Sequence, residues 1–351
     1  VATSSGTASL HVALGAAGVT AGDEVITSPI TDMGSVIGIV FQNAIPVFAD
    51  LDPHTYNMTA ETIAAKITNK TKAIIVVHLA GNPADMDPIM ELAKKHNLVV
   101  IEDCAQSYEC FYKGRRAGTI GDYGCFSLND FKHISAGDGG MILMNKQDDY
   151  ERALRFADKN YNRLTTDPAA GRKIEFIAPN YRMNELTGAV AIAQLDRLPW
   201  ICERRHALGE RLTAGIQDIP GIQIHEVHEG NKSSYWFYML RVDEKAAGVS
   251  RDDFAAALIA EGIPCQAGYI PTCVYEYDMF QNKEGFKGTH APFDSPYYGG
   301  NVSYAKGTCP IAEEILETAV RLNINEFFTE QDIDDMIAAI QKISAYYQSQ
   351  K

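Results

Sequence analysis

The sequence predicts an α/β chain with a large, mostly parallel-sheet domain over residues 1–200 and a smaller α+β domain over 201–351. Three observations carry this expectation. Strand-like and helix-like stretches alternate through the first half, the pattern of a sheet wrapped by helices. The runs Ala73-Ile-Ile-Val-Val-His78 and Leu98-Val-Val-Ile-Glu102 are continuously apolar rather than alternating, as parallel strands buried on both faces require. The 351 residues are enough to bury two cores.

In chain order, Ala8 to Ala17 reads as a helix opened by a Ser-Gly-Thr turn, with strands at Glu24–Ser28 and Ile45–Ala49. Thr59 is a good cap for a helix over Ala60–Ile67. After the first apolar strand comes a helix over Asp87–His96, and the second apolar strand ends at Asp103. Further on, Gly140–Met144 reads as a strand and Asn184–Leu195 as a helix. Pro199 marks the expected hinge into the second domain. Beyond it, Ile201–Ile216 is helical, Tyr235–Val242 strand-like, Arg251–Glu261 an amphipathic helix, and Thr329 caps a last helix to Tyr347. The stretch from Tyr275 to Lys306, rich in Gly, Pro, Tyr and Phe, reads as an irregular loop able to close over a substrate.

Composition narrows the function. A net charge of -14 argues against nucleic acid or an anionic membrane as the main partner. No apolar run approaches the roughly 18 residues of a membrane helix. The seven cysteines are odd in number and scattered without a C-x-x-C pair, which favours free thiols in the cytoplasm over a disulfide framework; no metal site is expected. The chain opens at Val1 without a Met, directly before Ser4-Ser-Gly-Thr-Ala8, so a preceding segment is expected.

The chemistry concentrates between Asp103 and Gly140. Asp103-Cys-Ala-Gln106 closes an apolar strand, and Lys132 lies in a turn between strand-like Gly124–Ser127 and the return Gly137-Asp-Gly-Gly140. Ligands of such sheets gather at the carboxyl ends of the strands. Each motif has a plainer reading alone: Ser-Gly-Thr as a helix cap, Asp103 as a structural acid, Lys132 as a surface lysine. Together they suit pyridoxal phosphate, with Lys132 forming a Schiff base, Asp103 pairing with the ring nitrogen and a hydroxyl holding the phosphate. The helix start at Gly6, Thr7 and Ala8 offers amides to that phosphate. His133 reads as structural, and Asn180 and Arg182 as groups for an anion.

These motifs resemble the DegT/DnrJ/EryC1/StrS family of sugar aminotransferases, within the aspartate-aminotransferase-like fold of pyridoxal-phosphate enzymes. The likeness runs through Ser5-Gly-Thr-Ala8, Gly22-Asp-Glu-Val25, Pro46-Val-Phe-Ala-Asp-Leu-Asp-Pro53, His78-Leu-Ala-Gly81, Ile101-Glu-Asp-Cys-Ala-Gln106, Asn180-Tyr-Arg-Met183 and Ala193-Gln-Leu-Asp-Arg-Leu198. The resemblance implies that Lys132 is catalytic, that Asp103 meets the pyridinium and Gln106 the phenolic oxygen, and that Gly6, Thr7, Ala8 and Ser127 hold the phosphate. It also implies a homodimer with shared active sites, Asn180 reaching the neighbouring subunit's phosphate. The amino donor would be glutamate or glutamine, the acceptor a keto-sugar (nucleotide-linked in the commonest case) or a keto-cyclitol, and the cofactor would alternate with pyridoxamine phosphate.

Three departures touch the substrate side. The family's ring-stacking aromatic is replaced by Asp32, so either Met33 covers the ring or the stacking is absent; Ala80 stands where an aromatic is common; and Trp236 and Gly268-Tyr269 replace a frequent histidine and His-Tyr pair. The competing reading within the fold is a sugar 3-dehydratase, in which a histidine takes the lysine position. Counting back from Gly137-Asp-Gly-Gly140 puts Lys132, not His133, there. Retention of Asp103, Gln106, Ser127 and Lys132 argues against a non-catalytic protein.

Overall fold

The computed structural model describes residues 1–351. Its strands are β1 (Ala2–Thr3), β2 (Glu24–Thr27), β3 (Ile45–Phe48), β4 (Thr71–Val77), β5 (Val99–Asp103), β6 (Phe111–Tyr112), β7 (Arg115–Arg116), β8 (Tyr123–Ser127), β9 (Gly140–Met144), β10 (Ile222–Ile224), β11 (Tyr238–Val242), β12 (Cys265–Ala267) and β13 (Ala319–Leu322). Seven of them form one sheet in the order β1-β9-β8-β5-β4-β2-β3. The run from β3 to β8 is parallel, and β9 and β1 close the other edge antiparallel. β4 and β5 are buried along most of their length, which explains their unbroken apolar sequence. The fold is the α/β class expected.

Two helices from the large sheet's amino-terminal half build the site. α1 (Gly6–Ala16) is buried on nearly every side, so its apolar residues show no single face. α2 (Gly34–Phe41) crosses it closely: a Cβ on Gly38 would lie 3.1 Å from the His11 backbone. Sequence patterning missed α2, which is short, contains two glycines and has no side-chain cap.

β10, β11, β13 and β12 make a second, wholly antiparallel sheet. Leu240, Val242, Val320 and Leu322 pack it against the helices Leu198–Ile216, Arg251–Ala260 and Glu330–Gln348. Thr329 caps the last of these through a reciprocal bond with Asp332.

One expectation fails, and another takes a definite form. Pro199 sits in the first turn of the Leu198–Ile216 helix, where a missing N–H costs nothing, and the later turns of that helix pack in the second core. The segment from Tyr275 to Lys306 is largely irregular, and although Phe286 and Tyr297 are exposed, most of its aromatics are core rather than lid. Phe280, Phe293, Tyr298 and Tyr304 are buried, and the Tyr298 and Tyr304 hydroxyls donate to Glu24 (3.0 Å) and the Pro46 carbonyl (2.8 Å). The segment is therefore fastened to β2 and β3.

The helix Glu185–Leu195 contrasts with the rest. Asn184 caps it by accepting the Thr187 amide, yet none of its residues is buried. Leu186 and Ile192 are 81% and 70% exposed, an unusual apolar surface for a solvated helix. All seven cysteines are free, six of them buried and Cys265 partly so. No helix is long and apolar enough to cross a membrane.

Behind the carboxyl edge of the large sheet lies a buried brace. The Ala84 amide donates to His78 Nδ1 at 3.1 Å, so His78 Nε2 carries the proton and donates to Glu102 Oε2 at 3.1 Å. Glu102 also accepts the amides of Gly118 (2.8 Å), Ile120 (2.7 Å) and Gly121 (2.6 Å). Burial pushes this carboxyl up, but the hydrogen bond from His78 and those from the amides outweigh it and hold its pKa below the ordinary value. Glu102→Gln should turn an acceptor into a donor facing donors, costing roughly 1–3 kcal/mol for each amide left unsatisfied. Urea unfolding measures this, and an unchanged midpoint would remove the brace from the account of stability.

Candidate active site

The carboxyl ends of β5 and β8, the first turn of α1 and the start of α2 surround a polar cavity of about 280 Å³. Gly6, Thr7, Asp32, Ser35, Asp103, Gln106, Ser127, Asn129, Lys132 and Asp138 line it. Of the residues singled out in sequence, it thus brings together Gly6, Thr7, Asp103, Gln106, Ser127 and Lys132.

One end of the cavity suits a phosphate. Ser5 caps α1 and accepts the Ala8 amide at 3.0 Å, so Ala8 is buried with its N–H already used. Gly6 and Thr7, at the start of the helix, have amides with no intrahelical acceptor. Ser127, at the end of β8, presses against them: a Cβ on Gly6 would lie 2.6 Å from Ser127 Cβ. The Ser127 hydroxyl receives one long bond, from the Asn129 amide at 3.4 Å, so it is available to a ligand. Orphan amides, the positive end of a helix and a hydroxyl converge here.

Asp103 forms the floor. The Ser35 hydroxyl donates to its Oδ2 at 2.6 Å and the Ala105 amide to its Oδ1 at 3.0 Å. Thr31 lies 2.6 Å behind Ser35; since Ser35 gives its proton to Asp103, Thr31 must donate to Ser35. Burial pushes the Asp103 carboxyl up, against the pull of Ser35, Ala105 and the Lys132 charge. A buried acid with spare lone pairs is suited to sharing a proton with a ring nitrogen. Gln106 is more engaged than its sequence setting suggested. Its Oε1 accepts the Ala80 amide at 2.9 Å and its Nε2 donates to the Tyr269 hydroxyl at 3.0 Å, leaving one N–H. The Ala80 bond helps to hold a non-glycine residue at φ 57°.

Lys132 reaches the cavity from its turn. Its Nζ lies 4.2 Å from the centroid of the Trp236 ring, a cation–π distance. The indole is fixed by its own N–H, which donates to the Phe131 carbonyl at 2.7 Å. Burial pushes the lysine's pKa down while Asp103 and Asp32 pull it back up, and the net fall favours the neutral, nucleophilic amine. His133 points elsewhere. It is buried with its Nε2 3.3 Å from the Ser234 carbonyl, and desolvation, with help from Arg205, lowers its pKa to about 3.

Three candidates lie outside the cavity: Ala8, whose amide is taken by Ser5, Met33 and Asn180. Met33 precedes α2 and packs against the large hydrophobic core, while its neighbour Asp32 occupies the wall, with its Oδ1 accepting the Gly34 amide at 2.8 Å. Asn180 is exposed beside β1, bridged to Asp158. Sequence reasoning did not find Ser35 or Asn129. Nothing local marks Ser35, which meets Asp103 only through the crossing of α2; the signal for Asn129 was its place between Ser127 and Lys132.

The model of the DegT/DnrJ/EryC1/StrS aminotransferase family matches residues 1–293. The spore coat polysaccharide biosynthesis protein SpsC of Bacillus subtilis (strain 168) is 34% identical over 351 residues, covering 98% of this chain and 85% of that protein. A putative L-glutamine:3-amino-2,3-dideoxy-scyllo-inosose aminotransferase of Micromonospora echinospora is 32% identical over 342 residues, covering 96% and 80%. GDP-perosamine synthase of Caulobacter vibrioides is 32% identical over 356 residues, covering 98% and 85%. Among solved structures, the aminotransferase from Psychrobacter cryohalolentis superposes with a TM-score of 0.84 at 31% identity, covering 99% of this chain and 87% of that one. The cavity and these relatives lead to one assignment: the chain belongs to the DegT/DnrJ/EryC1/StrS aminotransferase family.

Proposed function

We propose that the chain transfers an amino group from glutamate or glutamine to a keto-sugar, nucleotide-linked, or to a keto-cyclitol, with pyridoxal phosphate as cofactor and pyridoxamine phosphate as its alternate form. The observation that carries this is the meeting, in one cavity, of a partly desolvated lysine, a buried acid at a strand end and a helix start with free amides. The printed functions of the relatives, a GDP-perosamine synthase and a keto-inosose aminotransferase, support the sugar or cyclitol acceptor.

When bound, the cofactor supplies an aldehyde that carries the amino group between substrates and a ring that accepts electrons from the adjoining carbon. The rest falls to this chain. Gly6 and Thr7 amides and the Ser127 hydroxyl hold the phosphate, and Asp103 keeps a proton on the ring nitrogen, itself fixed by Ser35 and Ala105. The spare N–H of Gln106 is available to the phenolic oxygen. Lys132 Nζ is the amine to which the cofactor is tethered; once displaced, it takes a proton from the donor's α-carbon and later delivers one to the acceptor carbon that gains the amine. Trp236 keeps that ammonium over its face between transfers. This division of labour requires Lys132 rather than His133, and therefore disfavours the dehydratase.

The exposed face of Glu185–Leu195 supports a homodimer, with Leu186 and Ile192 covered by a second copy. Asn180, close before this helix and outside its own subunit's cavity, would then serve the neighbour's phosphate.

Three outcomes test the reading. Lys132→Ala should fold, lose the yellow cofactor chromophore and lose transamination; turnover near the wild-type level would reassign the lysine. Asp103→Asn should still bind cofactor but turn over about a hundredfold or more slowly, since a neutral amide cannot hold the ring proton; single-turnover bleaching by glutamate measures it, and an unimpaired rate makes Asp103 structural. Ile192→Lys should shift the protein towards monomer in sedimentation and weaken cofactor retention, whereas an intact dimer would locate the interface elsewhere.

A further inference from the structure

Beside the groups that hold the cofactor, the cavity keeps a carboxylate for which the mechanism has no use. Asp32 is exposed at the cavity mouth and lines it together with Gln106 and Lys132. Its Oδ1 accepts the Gly34 amide at 2.8 Å, which fixes the side chain on the turn into α2. That is the one bond its carboxylate makes, so Oδ2 is left facing the open space. Burial, and after it the Asp32 charge, pushes the hydroxyls of Tyr269 and Tyr277 above their ordinary pKa, so both rings stand near the carboxylate. The Val274 amide donates to the Pro29 carbonyl at 2.9 Å and ties the segment carrying these tyrosines to the loop carrying Asp32. Tyr269 is held again by Gln106, and its ring lies 4.7 Å from Phe237, itself 5.2 Å from Trp236. With Lys132 over Trp236, a row of aromatic rings leads from the reacting amine to the free carboxylate.

The charges of the wall are unequal. Lys132 is its one cation, against Asp32, Asp103 and Asp138. With the lysine tethered to the cofactor and Asp103 on the ring nitrogen, a substrate meets two carboxylates that each keep a spare oxygen. A carboxylate beside aromatic faces stabilises an ammonium, through a charge-assisted hydrogen bond and the negative faces of the rings. An anion in the same place is repelled. The cofactor's phosphate avoids this end of the cavity by lying at the start of α1. An amino-acid donor has no positive group besides the nitrogen it gives up, and a plain keto-sugar or keto-cyclitol ring has none at all.

We propose that Asp32 binds an ammonium group on the acceptor, so that the acceptor is a ring ketone already carrying an amine. The proposal rests on the aminotransferase reading of this cavity and narrows its acceptor to amino-bearing keto-cyclitols and keto-sugars. The ring lies against the tyrosines with its ketone towards Lys132 and its ammonium on Asp32, so a single carboxylate selects the carbon that is presented. The product is a ring bearing two amines.

The test uses the cofactor-loaded protein as wild type, Asp32→Asn and Asp32→Glu. Asparagine keeps an acceptor for the Gly34 amide and removes the charge. Bleaching of the yellow chromophore is followed with 2-deoxystreptamine, a cyclitol with two amines, with scyllo-inosamine, which has one, and with glutamate. One amine of the diamine reacts while the other remains for Asp32. Wild type should half-saturate with the diamine at about a tenth of the monoamine concentration, and Asp32→Asn should remove this preference, the worth of a charge-assisted hydrogen bond at a solvent-facing mouth. The same variant should lower half-saturation for glutamate, an anion relieved of a like charge. Misfolding cannot move the two in opposite directions. Asp32→Glu, which keeps the charge, should retain part of the preference. Binding of scyllo-inosamine and scyllo-inositol to the pyridoxamine phosphate form, measured by calorimetry, needs no turnover: wild type should prefer the amine, and Asp32→Asn should bind the two alike. A wild type that treats diamine and monoamine alike, and inosamine and inositol alike, would overturn the proposal. If no amine bleaches the wild type, glutamate and glutamine included, the aminotransferase reading falls separately, and the calorimetric preference still decides the role of Asp32.

Discussion

The site depends on how tightly the start of α1 is pressed into the sheet. A Cβ on Gly6 would meet Ser127 at 2.6 Å, and one on Gly140 would meet the Ser5 carbonyl at 2.3 Å. These two glycines let a helix terminus, the end of β8 and the beginning of β9 share a space that side chains would fill. Everything else follows from that contact. The lysine turn connects β8 to β9, so fixing both strands on α1 fixes the ends of the turn. Asp103 is one strand over from β8, paired through Cys125, so the cavity floor and the start of α1 keep a constant separation.

The electrostatics are local rather than global. A chain with a net charge of -14 is not an obvious host for an anionic cofactor. The cavity instead presents unpaired amides and a helix terminus, which act over one turn and are little weakened in a partly desolvated space. The acids at its edge are used as acceptors: Asp32 and Asp138 each take a backbone amide, and Asp103 takes Ser35 and Ala105. Each shapes its own loop with at least one oxygen.

What could be read from the sequence was what the chain writes contiguously. Gly6, Thr7, Asp103, Ser127 and Lys132 each sit at the end of an element whose period or apolar run is visible, so their edge of the sheet could be inferred. Ser35 and Tyr269 come to the site by crossings between distant elements, and no local pattern announces that. The aromatics between Tyr275 and Lys306 misled for a physical reason: a glycine- and proline-rich stretch has no period, so buried rings in it look like binding groups. Met33 misled differently. Adjacent residues at a helix start point in divergent directions, and the wall position fell to Asp32.

The cysteines carry a consequence for how the folded chain can be observed. Burial pushes the thiols of Cys104, Cys110 and Cys125 well above their ordinary pKa, so almost none is present as the reactive thiolate in the closed protein. Cys104 and Cys125 flank Asp103, Cys202 lies in the helix after Pro199, and Cys273 and Cys309 are in the core that joins the two sheets. The buried six therefore form a set of latent reporters distributed over the molecule, with half-exposed Cys265 as an internal standard. Their alkylation rates are set by how often each neighbourhood opens, so the order in which they are lost would map the breathing of the cofactor site separately from that of the junction between the sheets.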